Sequence, residues 1–360
     1  MILAMSNPPH LDAATEKIPL PEQEPQQTQE PPAKHKKPSR RMRYALIALL
    51  VVVLLGVGGA VAGGFYLRSV EKGIERVDAF DGVPEQERPQ KEATEARNIL
   101  ILGSDSRDPE NTGGSRSDTL IVAHLPADRS SAQLISIPRD TWVEVPKSKD
   151  GKHGGTEAKI NAAYAWGGVP LVVQTVEKFT GVRIDNVAII DFAGFQDIVD
   201  AVGGVDIDVP QDFTSIHEPF RRFRAGVQHM DGATALDYAR QRKQFPDGDF
   251  ARIRHQQQVI KGVLNKAVSA GTLTNPGLLT DLIEATADAV SVDKTLSIID
   301  TATEMSGLRG GDLSFMTNPT SGTGTVGTES VVFPDEDRTK QLYAAVKRDS
   351  VPDILKAAGE

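Results

Sequence analysis

Residues 98–141, NILILGSDSRDPENTGGSRSDTLIVAHLPADRSSAQLISIPRDT, hold three short apolar runs at 98–102, 119–125 and 132–137, each bounded by turn-forming residues. Their length and their Ile, Leu and Val content predict β-strands. The connection at 126–131, PADRSS, is short enough to join antiparallel neighbours, so a meander is expected. The first strand then leaves at Gly103, the second enters near Asp118, and the third returns to the same edge at Pro138. This gathers Asp105, Asp118 and Arg139 at one end of a sheet. Two carboxylates about 5 Å apart repel by roughly 3 kcal/mol at an effective dielectric near 20, a cost that a hard cation reverses. Mg²⁺ takes one or two carboxylates and completes its shell with water and phosphate oxygens, so Asp105 and Asp118 are candidate metal ligands. On spacing alone a second reading stays open, in which Asp105 caps a turn in GSDSRD and Asp118 ends a polar loop.

Further along, FQDIVDAV (195–202) has helical spacing and ends at Gly203 and Gly204, after which VDIDV (205–209) alternates as a strand. ATALDYAR (233–240) predicts a helix, and Pro246 and Gly248 require QRKQFPDGD to be turned or extended. If residues 240–242 are extended, Arg240 and Arg242 point to one side and form a paired guanidinium clamp suited to phosphate. Asp249 stands where an N-cap would, ahead of the amphipathic pattern ARIRHQQQVIKGVLNKAV, which places Arg252 in a first helical turn. A cation there opposes the helix dipole, which suggests a nearby anion. A plain surface pair between Arg252 and Asp249 is the alternative. The stretch 211–230, with Arg221, Arg222 and Arg224 beside Phe220 and Phe223, is expected to be a solvated loop. Segments 276–290 and 295–307 predict helices, and after MTNPTSG only a loop, the run VVF and a last helix, DRTKQLYAAVKRD, are expected.

Five ordered strings carry a family resemblance: NILILGSDSR (98–107), RSDTLIV (116–122), SIPRDT (136–141), KINAAY (159–164), and DGATALDYARQR (231–242) followed by GDFAR (248–252). Together they resemble the LytR-CpsA-Psr catalytic domain. The resemblance implies an α/β fold whose mixed, largely antiparallel central sheet is flanked by helices. It implies a phosphotransferase that moves a glycopolymer from a polyprenyl-pyrophosphate carrier to peptidoglycan, with Mg²⁺, or Mn²⁺ in its place, as cofactor. By the same resemblance Asp105 and Asp118 hold the metal, and Arg139 grips the pyrophosphate. Lys159, Arg240, Arg242 and Arg252 join it on the phosphates, and Arg107 and Arg116 fall within matched motifs. Asp105 is also a candidate to orient or deprotonate the acceptor hydroxyl. One departure is His255, where many relatives carry a second arginine, so that any phosphate contact there is expected to be weaker or pH-dependent. A hydrolase of the lipid pyrophosphate and a non-catalytic surface protein that binds the lipid carrier are the competing functions.

The rest of the 360-residue chain frames this domain. Residues 1–43 form a Pro-, Gln- and Glu-rich tail ending in KHKKPSRRMR, with too few apolar residues to offset the entropy of ordering. Tyr44 to Leu67 is a run of 24 residues without a charge, long enough to cross a bilayer as one helix. Its length and late charged flank argue against a cleaved signal peptide, although Ala60-Val61-Ala62 resembles a cleavage site. The six Lys/Arg before it predict a cytoplasmic tail and an extracytoplasmic domain, and so a single-pass protein of the cell membrane. Residues 68–96 are expected to be a stalk and 97–350 the catalytic domain. The formal charge is −9, and because the first 67 residues carry +2, the remainder carries −11. That balance disfavours nucleic acid as a partner. The absence of cysteine excludes a disulfide framework and thiolate metal sites.

Overall fold

The computed structural model describes residues 69, 71–104, 117–268, 276–305, 307–308 and 310–352, all within one compact unit spanning 60–360. The proposed membrane span at 44–67 and the loop carrying Asp105, Arg107 and Arg116 lie outside the described residues. Among the described residues no helix is long and apolar enough to cross a membrane.

Fifteen strands follow in chain order among these residues. They are β1 (Arg76–Val77), β2 (Arg97–Ser104), β3 (Ser117–Leu125), β4 (Ala132–Ile137), β5 (Trp142–Val145), β6 (Thr156–Lys159), β7 (Asn186–Asp191), β8 (Val205–Val209), β9 (Phe213–Thr214), β10 (Arg222–Phe223), β11 (Gly226–Met230), β12 (Val290–Asp293), β13 (Leu313–Thr317), β14 (Thr320–Val326) and β15 (Glu329–Pro334). The helices are α1 (Ala162–Thr180), α2 (Phe192–Ala201), α3 (Gly232–Ala239), α4 (Asp249–Val268), α5 (Pro276–Ala289), α6 (Ile298–Glu304) and α7 (Glu336–Lys347).

A seven-stranded sheet in the order β1-β12-β7-β2-β3-β4-β13 is the centre of the fold. The expected meander is present: β2 pairs antiparallel with β3, and β3 with β4. The sheet as a whole is not largely antiparallel. The pairs β1·β12, β7·β2 and β4·β13 are parallel, so parallel and antiparallel pairings alternate evenly outside the meander. The parallel neighbours arrive through helical crossovers, which the short runs at 98–137 cannot announce.

Both sheet faces are covered, which is why its strands are apolar throughout rather than alternating. Leu100, Leu102, Leu120, Val122, Ile135 and Ile137 face one core, shared with Val172, Val173 and Val176 of α1 and with Tyr343 and Val346 of α7. Ile99, Ile121 and Leu134 face the other, against Ile260 and Leu264 of α4, Ala289 of α5 and Ile298 of α6. A third cluster joins β8, α3 and α4 through Val205, Ile207, Tyr238, Ala251 and Val259. The turn between α2 and β8 depends on Gly204, whose φ is +79° and where a Cβ would lie within 3 Å of His229 and of the Met230 carbonyl. The α1 segment is broken at Gly167 and Gly168, with Gly168 at φ +63°, before Pro170 restarts the helix.

Two expectations are corrected. The segment read as a stalk, 68–96, is in part built into the domain: Arg76 and Val77 form the edge strand β1, and Ile74, Val77, Ala79 and Ala96 are buried. The segment expected as a loop with the run VVF forms the hairpin β14–β15, made of Thr, Ser and Gly on one strand, whose weak apolar pattern hid it. Arg88 fixes the first of these segments, donating from Nη2 to Glu177 Oε1 at 2.8 Å and to the Ile184 carbonyl at 2.6 Å. Glu177 is buried and Arg88 largely so, and the Glu177 carboxylate also accepts from the Ile184 amide at 2.9 Å. Breaking such a pair strands a charge in the interior. Glu177→Ala is expected to lower the unfolding free energy by about 3 kcal/mol, read from urea denaturation. An unchanged midpoint would show that residues 85–88 are not anchored this way.

Candidate active site

The meander delivers its chemistry as the strand order requires. Asp118 is the second residue of β3, and Arg139 lies two residues beyond the end of β4, so both project from the same sheet edge. One guanidinium nitrogen of Arg139, Nη1, donates to Asp118 Oδ1. Arg252, from the first turn of α4, donates from Nη2 to the Asp118 carbonyl at 3.1 Å, and its Nη1 lies 3.9 Å from Asp118 Oδ1. The Asp118 carboxylate, still partly open to solvent, therefore carries two arginines from different layers of the fold.

Asp249 completes the arrangement from beneath. Its Oδ1 lies 2.6 Å from Arg252 Nη2 and 3.9 Å from Arg139 Nε, yet among the described residues neither of its buried oxygens completes a hydrogen bond. The Nε atoms of Arg139 and Arg252 are buried without a hydrogen-bond partner as well. Burial pushes the Asp249 carboxyl above its ordinary range against the opposing pull of Arg252 and Arg139. Burial likewise lowers the Arg252 guanidinium, with Asp249 opposing it. For Arg139 burial again pulls downward, but Asp118, Asp140 and Asp249 together outweigh it and hold the group above its ordinary value. A nest of buried charges with unmet hydrogen bonds costs stability and favours a further charged ligand.

The sequence-expected residues divide accordingly. Asp118, Arg139 and Arg252 come together. Lys159 sits at the rim, 3.7 Å from Asp140 Oδ1 and 3.3 Å from Glu329 Oε2. Arg242 is half-buried, and its field reaches both Asp249 and Arg252. Arg240 differs from expectation, because the chain is not extended there. Its φ and ψ of −94° and −9° continue the helical turn, and its N–H bonds back to the Leu236 carbonyl at 3.1 Å. The Arg240 guanidinium stacks over the Phe192 ring at 4.9 Å. Phe192 follows Asp191, which is in register with Ser104, so Arg240 lies beside the end of β2. Asp249 was expected as an N-cap and instead begins the helix itself, its carboxylate spent on the arginines. Asp140 and Glu329 were missed; the adjacency of Asp140 to Arg139 in SIPRDT was the available signal for the first, and nothing local marks the second.

The stretch at 170–179 belongs to the core: Val172, Val173 and Val176 are fully buried. A cavity of about 410 Å³ lies along Ala193, Gly194, Asp197, Asp288 and Ser291, and neither Asp118, Arg139 nor Arg252 lines it. Among the described residues no three His, Cys, Asp or Glu side chains are grouped to hold a metal. Of the expected metal ligands only Asp118 is among the described residues, and its carboxylate would suit Mg²⁺, which needs as few as one or two carboxylates. The half-exposed Asp118 carboxylate, and beside it the Asp249 carboxylate held in its ion pair with Arg252, are what a cation would meet.

His255 does not replace an arginine on the phosphates. It is buried among aromatic rings, with centroids 4.3 Å from Tyr238, 4.8 Å from Phe245 and 6.2 Å from Phe213. Burial lowers its pKa from 6.5 to about 4. The unfolded chain therefore takes up this proton first, so the contribution of His255 to stability is full above pH 6.5 and is lost as pH falls toward 4. The loss amounts to about 3 kcal/mol at most. His255→Phe is expected to flatten that part of the urea-midpoint profile between about pH 7 and about pH 4. A variant with the same acid slope as the parent would place the titration elsewhere.

The sequence model of the LytR_cpsA_psr family matches residues 65–348. Over 244 residues the chain is 38% identical to the polyisoprenyl-teichoic acid--peptidoglycan teichoic acid transferase TagU of Bacillus cereus, covering 66% of this chain and 75% of that protein. It is 30% identical over 365 residues to the cell wall biosynthesis protein LcpA of Corynebacterium glutamicum, covering 88% of this chain and 67% of that one. The crystal structure of B. subtilis TagV superposes with a TM-score of 0.60 at 29% identity, covering 72% of this chain and 98% of TagV. With a family model that spans most of its length and a shared fold, this chain belongs to the LytR-CpsA-Psr family.

Proposed function

We propose that this chain is a Mg²⁺-dependent phosphotransferase that moves a glycopolymer from a polyprenyl-pyrophosphate carrier to peptidoglycan, leaving a phosphodiester link. The observation that carries the proposal is the pair of guanidinium groups, from Arg139 and Arg252, converging on one partly exposed carboxylate at the sheet edge. The names of the relatives support it, one a teichoic acid transferase acting with peptidoglycan and one a cell wall biosynthesis protein. The expected topology also supports it, with 44–67 as a single membrane anchor and the domain outside, beside both lipid carrier and wall.

In this reading Arg139, Arg252 and Arg242 take the pyrophosphate oxygens, with Lys159 and Arg240 at the rim, and Arg107 and Arg116, which lie outside the described residues, are proposed to join them. Their charge is fixed in place before substrate arrives, which lowers the barrier without reorganisation. Asp118 and Asp105 would hold the Mg²⁺, which when bound would supply further neutralisation of phosphate charge. The acceptor hydroxyl oxygen forms a bond to the phosphorus that bears the glycopolymer, and the bridging bond to polyprenyl phosphate breaks. Polyprenyl phosphate leaves with the electron pair, and the hydroxyl proton passes to a carboxylate, for which Asp105 is proposed. Such chemistry asks the protein mainly for position and charge.

The full-length chain in detergent, given Mg²⁺, a lipid-pyrophosphate glycan and peptidoglycan fragments, is expected to attach the glycan to the fragments. Asp118→Asn and Arg139→Ala should each reduce transfer by about 100-fold or more, with circular dichroism unchanged. Near-normal transfer in both variants would remove the proposed site. Release of polyprenyl monophosphate at the same rate without any acceptor would identify a pyrophosphatase instead.

A further inference from the structure

Immediately after Arg139 the chain enters a surface of a different character. The β5–β6 ribbon pairs Trp142 with Lys159 and Glu144 with Glu157. Val143, Val145 and Ala158 point inward and are buried, so Trp142, Glu157 and Lys159 share the outward face. The hairpin β14–β15 runs beside this ribbon through the parallel bridge between Thr141 and Val332, with the Val332 amide donating to the Asp140 carbonyl at 2.9 Å. Thr141 and Val332 are buried, and the next residues along the two strands are Trp142, half-buried, and Phe333, 36% exposed.

That face combines two aromatic side chains with Asp140, Glu157 and Glu329. The Trp142 indole N–H donates to Glu157 Oε2 at 3.3 Å, and Lys159 bridges Asp140 and Glu329. Among the described residues no other ring packs on that of Trp142. Three carboxylates repel a polyphosphate, so the anionic donor belongs on the arginine side of Arg139. Hydroxyl and amide groups suit these carboxylates as donors, and the C–H face of a pyranose suits an indole ring, which is apolar on its face and polar at its edge.

We infer that the outward face of Trp142 and Phe333, rimmed by Glu157 and Glu329, is the subsite that seats the acceptor glycan strand of peptidoglycan. The inference rests on the function proposed above, and names the partner that the Asp140 side of the same site receives. An acceptor sugar held on Trp142 lies beside Arg139 through Asp140, whose Oδ2 is 3.8 Å from Arg139 Nε. Trp142 is thus a specificity residue for the acceptor, not a phosphate ligand.

The chain has two tryptophans, so Trp166→Phe leaves Trp142 as the only indole reporter. Titrating that full-length variant in detergent with peptide-free peptidoglycan oligosaccharides should give a saturable change in emission, absent with a maltose oligosaccharide. In the transfer assay, Trp142→Ala should raise the acceptor KM about tenfold while kcat changes less than threefold and the donor KM stays put, and Trp142→Phe should recover most of the loss. Emission that does not respond to the glycan, or an acceptor KM unchanged in Trp142→Ala, overturns the inference. If the parent protein shows no turnover at all, the proposed function falls, and the titration alone then decides whether this face binds the glycan.

Discussion

The antiparallel register of β3 between β2 and β4 is the constraint on which the site depends. Leu120 pairs with Leu102 on one side and with Ile137 on the other. Once those pairs are set, Asp118 and Arg139 have no freedom to lie anywhere but one sheet edge, since a slip of one residue would exchange the side chains fitted to the two cores. The parallel partner β7 ends at the same edge and brings Phe192 there, and Arg240 settles on its ring. Strand pairing, driven by burial on both faces, is thus what assembles charged groups distant in sequence.

The charge cluster itself is not a source of stability. Asp249 and Arg252 are buried, their pKa values move against their charged forms, and several of their polar atoms lack hydrogen bonds. Buried ion pairs seldom recover their desolvation cost, and incomplete hydrogen bonding makes recovery harder. The surrounding packing holds them in place. Gln257 of α4 donates to Ser136 Oγ at 3.1 Å and to the Met316 carbonyl at 3.2 Å, fixing the helix to β4 and β13 beside the arginine it carries. Such fixed, under-satisfied charge is what an anionic ligand can complete without the protein reorganising.

Arg139 and Asp140, adjacent in sequence, divide two environments. On one side are guanidinium groups and the buried Asp249; on the other are carboxylates, an indole and the hairpin that contributes Glu329. A phosphotransferase must bring an anionic donor and a hydroxyl acceptor to one phosphorus, and opposite surfaces meeting at a single residue pair meet that requirement by charge alone. The buried His255 belongs to neither side, and its aromatic neighbours show the helix face behind Arg252 to be structural.

The three apolar runs between 98 and 137, the helices after Asp231 and Asp335, and the glycine-ended unit at 195–209 were legible in the sequence because periodic burial and turn residues are local signals. The convergence of Asp118 and Arg139 was legible for the same reason, as a consequence of short connections between neighbouring strands. The parallel pairings, the edge strand at Arg76, the stacking of Arg240 on Phe192, the burial of His255 and the placement of Glu329 beside Lys159 were not. Each is fixed by contact between segments far apart in the chain, where no spacing rule operates and burial of a polar group depends on partners that only the folded structure supplies.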